Sequence, residues 1–164
     1  MEHDHIQTRL RHLAFTSGIF GERLDRLAEL TEAVQWKPDE IIFREGDLGK
    51  ALYIIEDGRV AIEVRTTPGA EPTSILTVGR GQVLGWSSVF YERPKSATAR
   101  AVAATTALAL DARGLADLFD KDPELGYILS RRLLQVVSER LKATRVQLLD
   151  LFARPDQRAA HVRS

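Results

Sequence analysis

Apolar and polar positions follow a helical rhythm at both ends of this chain and a strand rhythm in its middle. Between Ile6 and Val34, the residues Leu24, Leu27, Ala28, Leu30 and Thr31 fall near a three-and-four spacing with charged residues between them. That spacing predicts an amphipathic helix. Gly18 and Gly21 interrupt the stretch, so short N-terminal helices are expected over residues 6–34. From Gln35 to Asp111 the apolar runs become short and β-rich: Ile41–Phe43, Leu52–Ile55, Val60–Val64, Thr73–Val78, Ala99–Val102 and Ala107–Leu110. Glu45-Gly46-Asp47, Glu56-Asp57-Gly58, Pro68-Gly69 and Gly79-Arg80-Gly81 separate them with good turn chemistry. Asp57-Gly58 between two apolar runs predicts a hairpin. Many short strands at close spacing predict a barrel or sandwich-like roll over residues 35–111.

After Asp111 the helical rhythm returns. Ala112 to Lys121 suits a short helix, and Pro123 suits the first turn of the next, with Asp122 as its N-cap. The last helix is expected to run to about Phe152, ended by Arg154-Pro155, leaving a frayed tail over residues 153–164. Within it Leu134, Val137, Leu141, Thr144, Leu148 and Leu151 alternate spacings of three and four, an a/d heptad seam. The first part of this stripe, with Leu125, Ile128, Leu129 and Leu133, suits packing on the roll. The second part predicts a homodimer seam. Thr144 is its one polar position, either fixing register, touching a ligand, or simply tolerated there.

The remaining sequence facts mostly exclude. A chain of 164 residues is ample for one domain with one core. Lysine and arginine number 23, as do aspartate and glutamate, so the basic excess of a nucleic-acid binder is missing. There is no cysteine, which removes disulfides, thiolate chemistry and cysteine-based metal sites. The N-terminus MEHDHIQTRLRHLAF has no secretory pattern, and no apolar run is long enough for a bilayer span. The expectation is a soluble cytoplasmic protein without a membrane segment. Of His3, His5, His12 and His161, only His3-Asp4-His5 could hold a metal, and loosely, with solvation the simpler account; no hydrolase, zincin or phosphate-loop motif is present. Neither an enzyme nor a metal or cofactor is expected, and no residue is assigned a catalytic role.

The order helices, roll, long helix resembles the cyclic-nucleotide-binding domain family. Ile42-Phe43-Arg44-Glu45-Gly46-Asp47, then Leu52-Tyr53-Ile54-Ile55-Glu56-Asp57-Gly58-Arg59-Val60, are similar to that family's first signature, over a likeness spanning about residues 15–150. The resemblance implies an α+β fold: an eight-stranded antiparallel β-roll (jelly-roll-like, a double-stranded β-helix) flanked by N-terminal helices and closed by a long C-terminal helix. It also implies a phosphate-binding cassette, aligned here with Gly85-Trp86-Ser87-Ser88-Val89-Phe90 and Pro94-Lys95-Ser96-Ala97-Thr98. Two positions depart from the family's pattern. Trp86 stands where the family has glutamate, and Lys95 stands where it has arginine.

An indole can donate but not accept, so a ribose hydroxyl loses its acceptor, while lysine keeps the charge but not the bidentate fork. Together these changes cost on the order of a hundredfold in affinity. The resemblance makes Gly85, Trp86, Ser87, Ser88, Lys95, Ser96, Ala97, Thr98 and Thr144 the candidate ligand-binding residues, with cyclic AMP or cyclic GMP as ligand. Three readings stay open at this point: a cyclic nucleotide, another anionic or apolar small molecule, or a pocket filled by Trp86. In the last case the chain would be a ligand-independent dimerisation or protein-interaction module. For a sensor, ligand would shift a hinge near residues 114–123 and reposition the long helix for an unknown downstream protein. The residues after Ala153 are too few for a DNA-binding domain, so none is expected.

Overall fold

The structure, a computed structural model, describes residues 2–90 and 92–153. Three α-helices lie on one side of the roll: α1 (Glu2–Arg11), α2 (Gly21–Glu29) and α4 (Ala112–Lys121). A single 3-10 turn, Ala14–Thr16, links α1 to α2. The strands are β1 (Thr31–Trp36), β2 (Ile41–Phe43), β3 (Ala51–Asp57), β4 (Arg59–Val64), β5 (Thr73–Gly79), β6 (Val83–Leu84), β7 (Thr98–Ala101) and β8 (Thr105–Asp111). The short helix α3 (Ser87–Phe90) follows β6, and the long helix α5 (Pro123–Ala153) follows α4. Among the described residues no helix is long and apolar enough to cross a membrane.

The strands form two antiparallel four-stranded sheets, ordered β1-β8-β3-β6 and β2-β7-β4-β5. This is the α+β roll expected from the sequence. In the first sheet, Leu52 pairs with Leu110 and Ile54 with Leu108, so alternation puts four fully buried side chains on one face. That face lies under the helices, whose Leu10, Leu24, Leu27, Leu115 and Leu118 are likewise buried. The opposite face meets the second sheet. Ile55, Leu84 and Ala107 from one sheet cluster with Val60, Val78 and Ala99 from the other. Each large side chain so buried contributes roughly 1.5–3 kcal/mol.

Three details differ from the sequence reading. The N-terminal helical stretch ends at Glu29, and Thr31–Val34 belong to β1, within the span 6–34 read as helical. Leu30 caps α2, and the Thr-Glu-Ala-Val-Gln-Trp alternation finds its partner in β8, where Thr31 pairs with Leu110 and Trp36 with Thr105. Long-range pairing of this kind overrides local spacing. Second, Asp57-Gly58 does not close a hydrogen-bonded hairpin. β3 pairs with β6 and β8, and β4 with β5 and β7, so the turn carries the chain from one sheet to the other. Third, β6 had no signal of its own.

The helix boundaries after Asp111 agree with the sequence. Asp111 accepts a hydrogen bond from the Gly114 N–H at 2.7 Å and caps α4, and Asp122 accepts from Leu125 N–H at 3.2 Å. The chain divides into two compact units, Met1–Ser130 and Arg131–Ser164. The second contains the remainder of α5. On it Leu134, Leu141, Leu148, Leu149, Leu151 and Phe152 are each at least half exposed. The expected tail beyond Ala153 lies outside the described residues.

Candidate ligand-binding site

The site is built where β6 turns into α3. Gly85 makes that turn with φ +76°, and a Cβ there would come within 2.6 Å of the Ala51 carbonyl. Only glycine meets both conditions at low cost. The backbone of α3 begins with Ser88 N–H donating to Gly85 O and Val89 N–H to Trp86 O, both at 3.2 Å. Buried Val89 anchors the turn, leaving Trp86, Ser87 and Ser88 half-buried.

Lys95 approaches these serines from the opposite side, on a segment fastened by backbone. Lys95 N–H donates to Asp47 O and Gly46 N–H to Lys95 O, each at 2.8 Å, and Leu48 bridges Pro94. The Glu45-Gly46-Asp47 turn thus holds the lysine in place. Its ammonium donates to Ser88 Oγ at 2.7 Å and Ser87 Oγ at 3.3 Å, and lies 4.8 Å from the centre of the Phe43 ring. Gly49 covers it. A Cβ at Gly49 would collide with Ser88 Oγ and with Cε of Lys95, and would lie 2.8 Å from Nζ.

Lys95 is only 8% exposed, and among the described residues no carboxylate pairs with it. Burial pushes its pKa below the ordinary lysine value. A buried cation held only by hydroxyls and an aromatic face is an unneutralised charge. The serine oxygens accept from the ammonium, which leaves their own O–H groups to donate elsewhere. The cluster therefore presents donors and positive charge together.

An aromatic row continues from this point. Phe43 stacks on Tyr53 at 6.5 Å between centroids, and Tyr53 meets Trp36 edge-on at 5.5 Å. Tyr53 and Trp36, with Val34, Ile42, Ala51 and Ala109, line a cavity of about 890 Å³ whose polar lining includes Glu29, Glu32, Lys50 and Asp111. A second cavity of about 620 Å³ shares Lys50 and Asp111 and is lined by Gly49, Ser88 and Phe90. Lys95 lines neither cavity, but its hydrogen-bond partner Ser88 lines the second.

The sequence of residues 33–122 matches the Cyclic nucleotide-binding domain. This chain belongs to the cyclic-nucleotide-binding domain family. It is 32% identical over 141 residues to a "CRP-like cAMP-activated global transcriptional regulator" of Mycobacterium tuberculosis, covering 83% of this chain and 60% of that protein. The chain thus spans about 60% of the length of that relative. A solved cyclic nucleotide-binding domain from Methylobacillus flagellatus superposes with TM-score 0.73 at 24% identity, over 90% of this chain and 83% of the other. The catabolite activator protein of Thermus thermophilus superposes with TM-score 0.64 at 28% identity, over 88% and 62%.

Of the residues the sequence reading singled out, Ser87 and Ser88 meet Lys95, and Gly85 accepts from Ser88 N–H. Ser96 is exposed and Ala97 half-buried. Thr98 turns elsewhere: its Oγ1 accepts from Glu45 N–H at 2.9 Å, and it lines a separate groove with Arg44, Glu63 and Arg100. Thr144 belongs to the second unit, where its exposed hydroxyl donates to Arg140 O at 2.8 Å. Sequence reasoning missed Trp36, Phe43, Gly49 and Tyr53 as components of the site. The alternation in Thr31–Trp36 would have exposed Trp36 had it been read with period two. Gly49 carries no local signal, because its need is a contact with residues some forty positions away. Among the described residues no acidic or histidine cluster suited to a metal ion is present.

Proposed function

We propose that this chain is a regulatory ligand-sensing domain that binds a cyclic nucleotide through Lys95, Ser87 and Ser88. The observation that carries the reading is Lys95, buried, unpaired with any carboxylate and aimed at two hydroxyls in the cassette. A bound phosphate would supply the missing negative charge. The 620 Å³ cavity lined by Gly49 and Ser88 falls within the size range of small-molecule sites. The name of the mycobacterial relative, which describes activation by cyclic AMP, supports the same ligand class.

In this reading the output passes through α5. Leu134, Leu141, Leu148 and Leu151 of the seam are 50–75% exposed, as expected of a helix that pairs with a second copy. A Leu141→Arg, Leu148→Arg double variant should then sediment as a monomer where the parent chain sediments as a dimer. A parent chain that is monomeric at high micromolar concentration would remove this part of the proposal.

Calorimetric titration with cyclic AMP and cyclic GMP tests the site itself. Binding in the high micromolar to millimolar range is expected, weakened at least thirtyfold in Lys95→Met. Saturable binding unaffected by Lys95→Met would disprove the assigned phosphate contact. No binding by the parent chain at several millimolar would leave the ligand-independent interaction module as the better account.

A further inference from the structure

Around the Lys95 ammonium the free hydrogen-bonding groups are donors. The ammonium donates to Ser87 Oγ at 3.3 Å and to Ser88 Oγ at 2.7 Å. A hydroxyl oxygen that accepts from a cation becomes a poorer acceptor and a stronger donor, so each serine is left with its O–H. The backbone carbonyls nearby are engaged as well. Asp47 O accepts from Lys95 N–H, Lys95 O from Gly46 N–H, Gly85 O from Ser88 N–H and Trp86 O from Val89 N–H. Trp86, next to Ser87, adds an indole N–H, which donates and cannot accept.

No carboxylate offsets them. Among the described residues none pairs with Lys95. Those lining the adjoining 620 Å³ cavity are placed for other work: Glu92 pairs with Arg113 at 3.5 Å, Asp111 caps α4, and Asp117 stands exposed on α4. A 3′,5′-cyclic nucleotide brings one donor to this neighbourhood through its own bonding. Its 2′-hydroxyl is on the carbon next to the one that carries a phosphate ester oxygen. A contact to the phosphate therefore brings that hydroxyl close to the cassette.

We infer that the site binds a cyclic nucleotide without reading its 2′-hydroxyl, taking ribo and 2′-deoxyribo forms alike, and that Trp86 sets this tolerance. The inference rests on the cyclic-nucleotide reading above and names the sugar class that the site admits. With no free acceptor at hand, the hydroxyl either stays toward water or is buried without a partner, and neither favours the ribose. Trp86 is the position that decides, because it immediately precedes Ser87 and Ser88 on the turn out of β6. A carboxylate or amide there would bring the acceptor that the indole lacks.

Matched ligands that differ by one hydroxyl test it. Cyclic AMP is compared with 2′-deoxy cyclic AMP, and cyclic GMP with 2′-deoxy cyclic GMP, by calorimetry on the parent chain, Trp86→Glu and Trp86→Gln. In the parent the two members of each pair should bind within about threefold of each other, or with the 2′-deoxy form ahead. In Trp86→Glu the ribo form should lead by about tenfold. The ratio within a pair is read, so repulsion between the new carboxylate and the phosphate cancels. Thermal melting checks that the variants fold, and Trp86→Gln supplies an uncharged acceptor should Trp86→Glu fail to. A ribo preference beyond threefold in the parent would overturn the inference while leaving cyclic-nucleotide binding intact. So would parity that persists in every folded variant, since position 86 would then not face the sugar. Absence of binding to all four ligands by the parent would overturn it together with the reading it rests on.

Discussion

Among the described residues two charged side chains are buried in the roll, and the fold treats them in opposite ways. Glu63, 6% exposed on the second sheet, is gripped by Arg100, whose Nε donates at 2.9 Å and Nη2 at 2.5 Å to the same carboxylate oxygen. Asp39 braces the guanidinium from its other side at 2.9 Å. Lys95, 8% exposed, has two hydroxyls, a phenyl ring and no counter-ion among the described residues. The first charge is neutralised inside the protein and serves the sheet. The second is left for something else to neutralise. A charge whose partner is already present is a structural element; one whose partner is missing marks a place where binding energy can be gained.

The sharpest way to break this contrast is to remove one member of each arrangement. Arg100→Ala strands a buried carboxylate and should destabilise the chain by about 2 kcal/mol in urea unfolding. Lys95→Met removes a charge that has no ion partner and replaces it with an apolar chain of similar length. It should be neutral or slightly stabilising, while ligand binding weakens at least thirtyfold. If both variants lose stability equally, the distinction between the two charges fails. Gly49→Ala should come next, at roughly 1–2 kcal/mol, because the added methyl must push Ser88 and the lysine apart. It should also weaken anion binding, and a variant as stable as its parent would show that the cover over Lys95 is loose.

The smallest effect concerns pH. Burial lowers the Lys95 pKa in the folded state below its ordinary 10.5, so between the two values the unfolded chain holds more protons. Stability should therefore rise as pH climbs through that window toward 10.5, and Lys95→Met should lack this increment. Phosphate affinity should move the other way, falling as the ammonium loses its proton. A parent and variant with superimposable pH–stability curves would show that the lysine is better solvated than its burial implies.

Those expectations also divide what the sequence made legible from what it did not. The Glu45-Gly46-Asp47 turn and the helix starts at Ala112 and Pro123 depend on residues close in the chain. Local chemistry therefore revealed them. Thr31–Val34 passed for helix because their partner strand β8 lies some seventy residues away, and no local spacing records it. The Asp57-Gly58 turn was correct as a turn and wrong as a hairpin, since which sheet each flanking strand joins is decided by β7 and β8. Phe43 and Tyr53 were legible as residues of the roll only, and Trp36 and Gly49 were not legible at all. Their part in the site arises from juxtaposition across the roll.

The same topology has a consequence for how the molecule comes into being. β7 and β8 are the last strands made, yet each lies in the interior of its sheet, between β2 and β4 and between β1 and β3. Until they are present β1 and β2 have no ladder partner, and neither sheet is continuous. Such late insertion means high contact order and slow closure, with open strand edges exposed on the nascent chain. Lys95 sits just ahead of β7, so the pocket is completed in the same event that closes the roll. A ligand present during refolding would therefore meet no partial site, and should slow unfolding without hastening the first steps of folding.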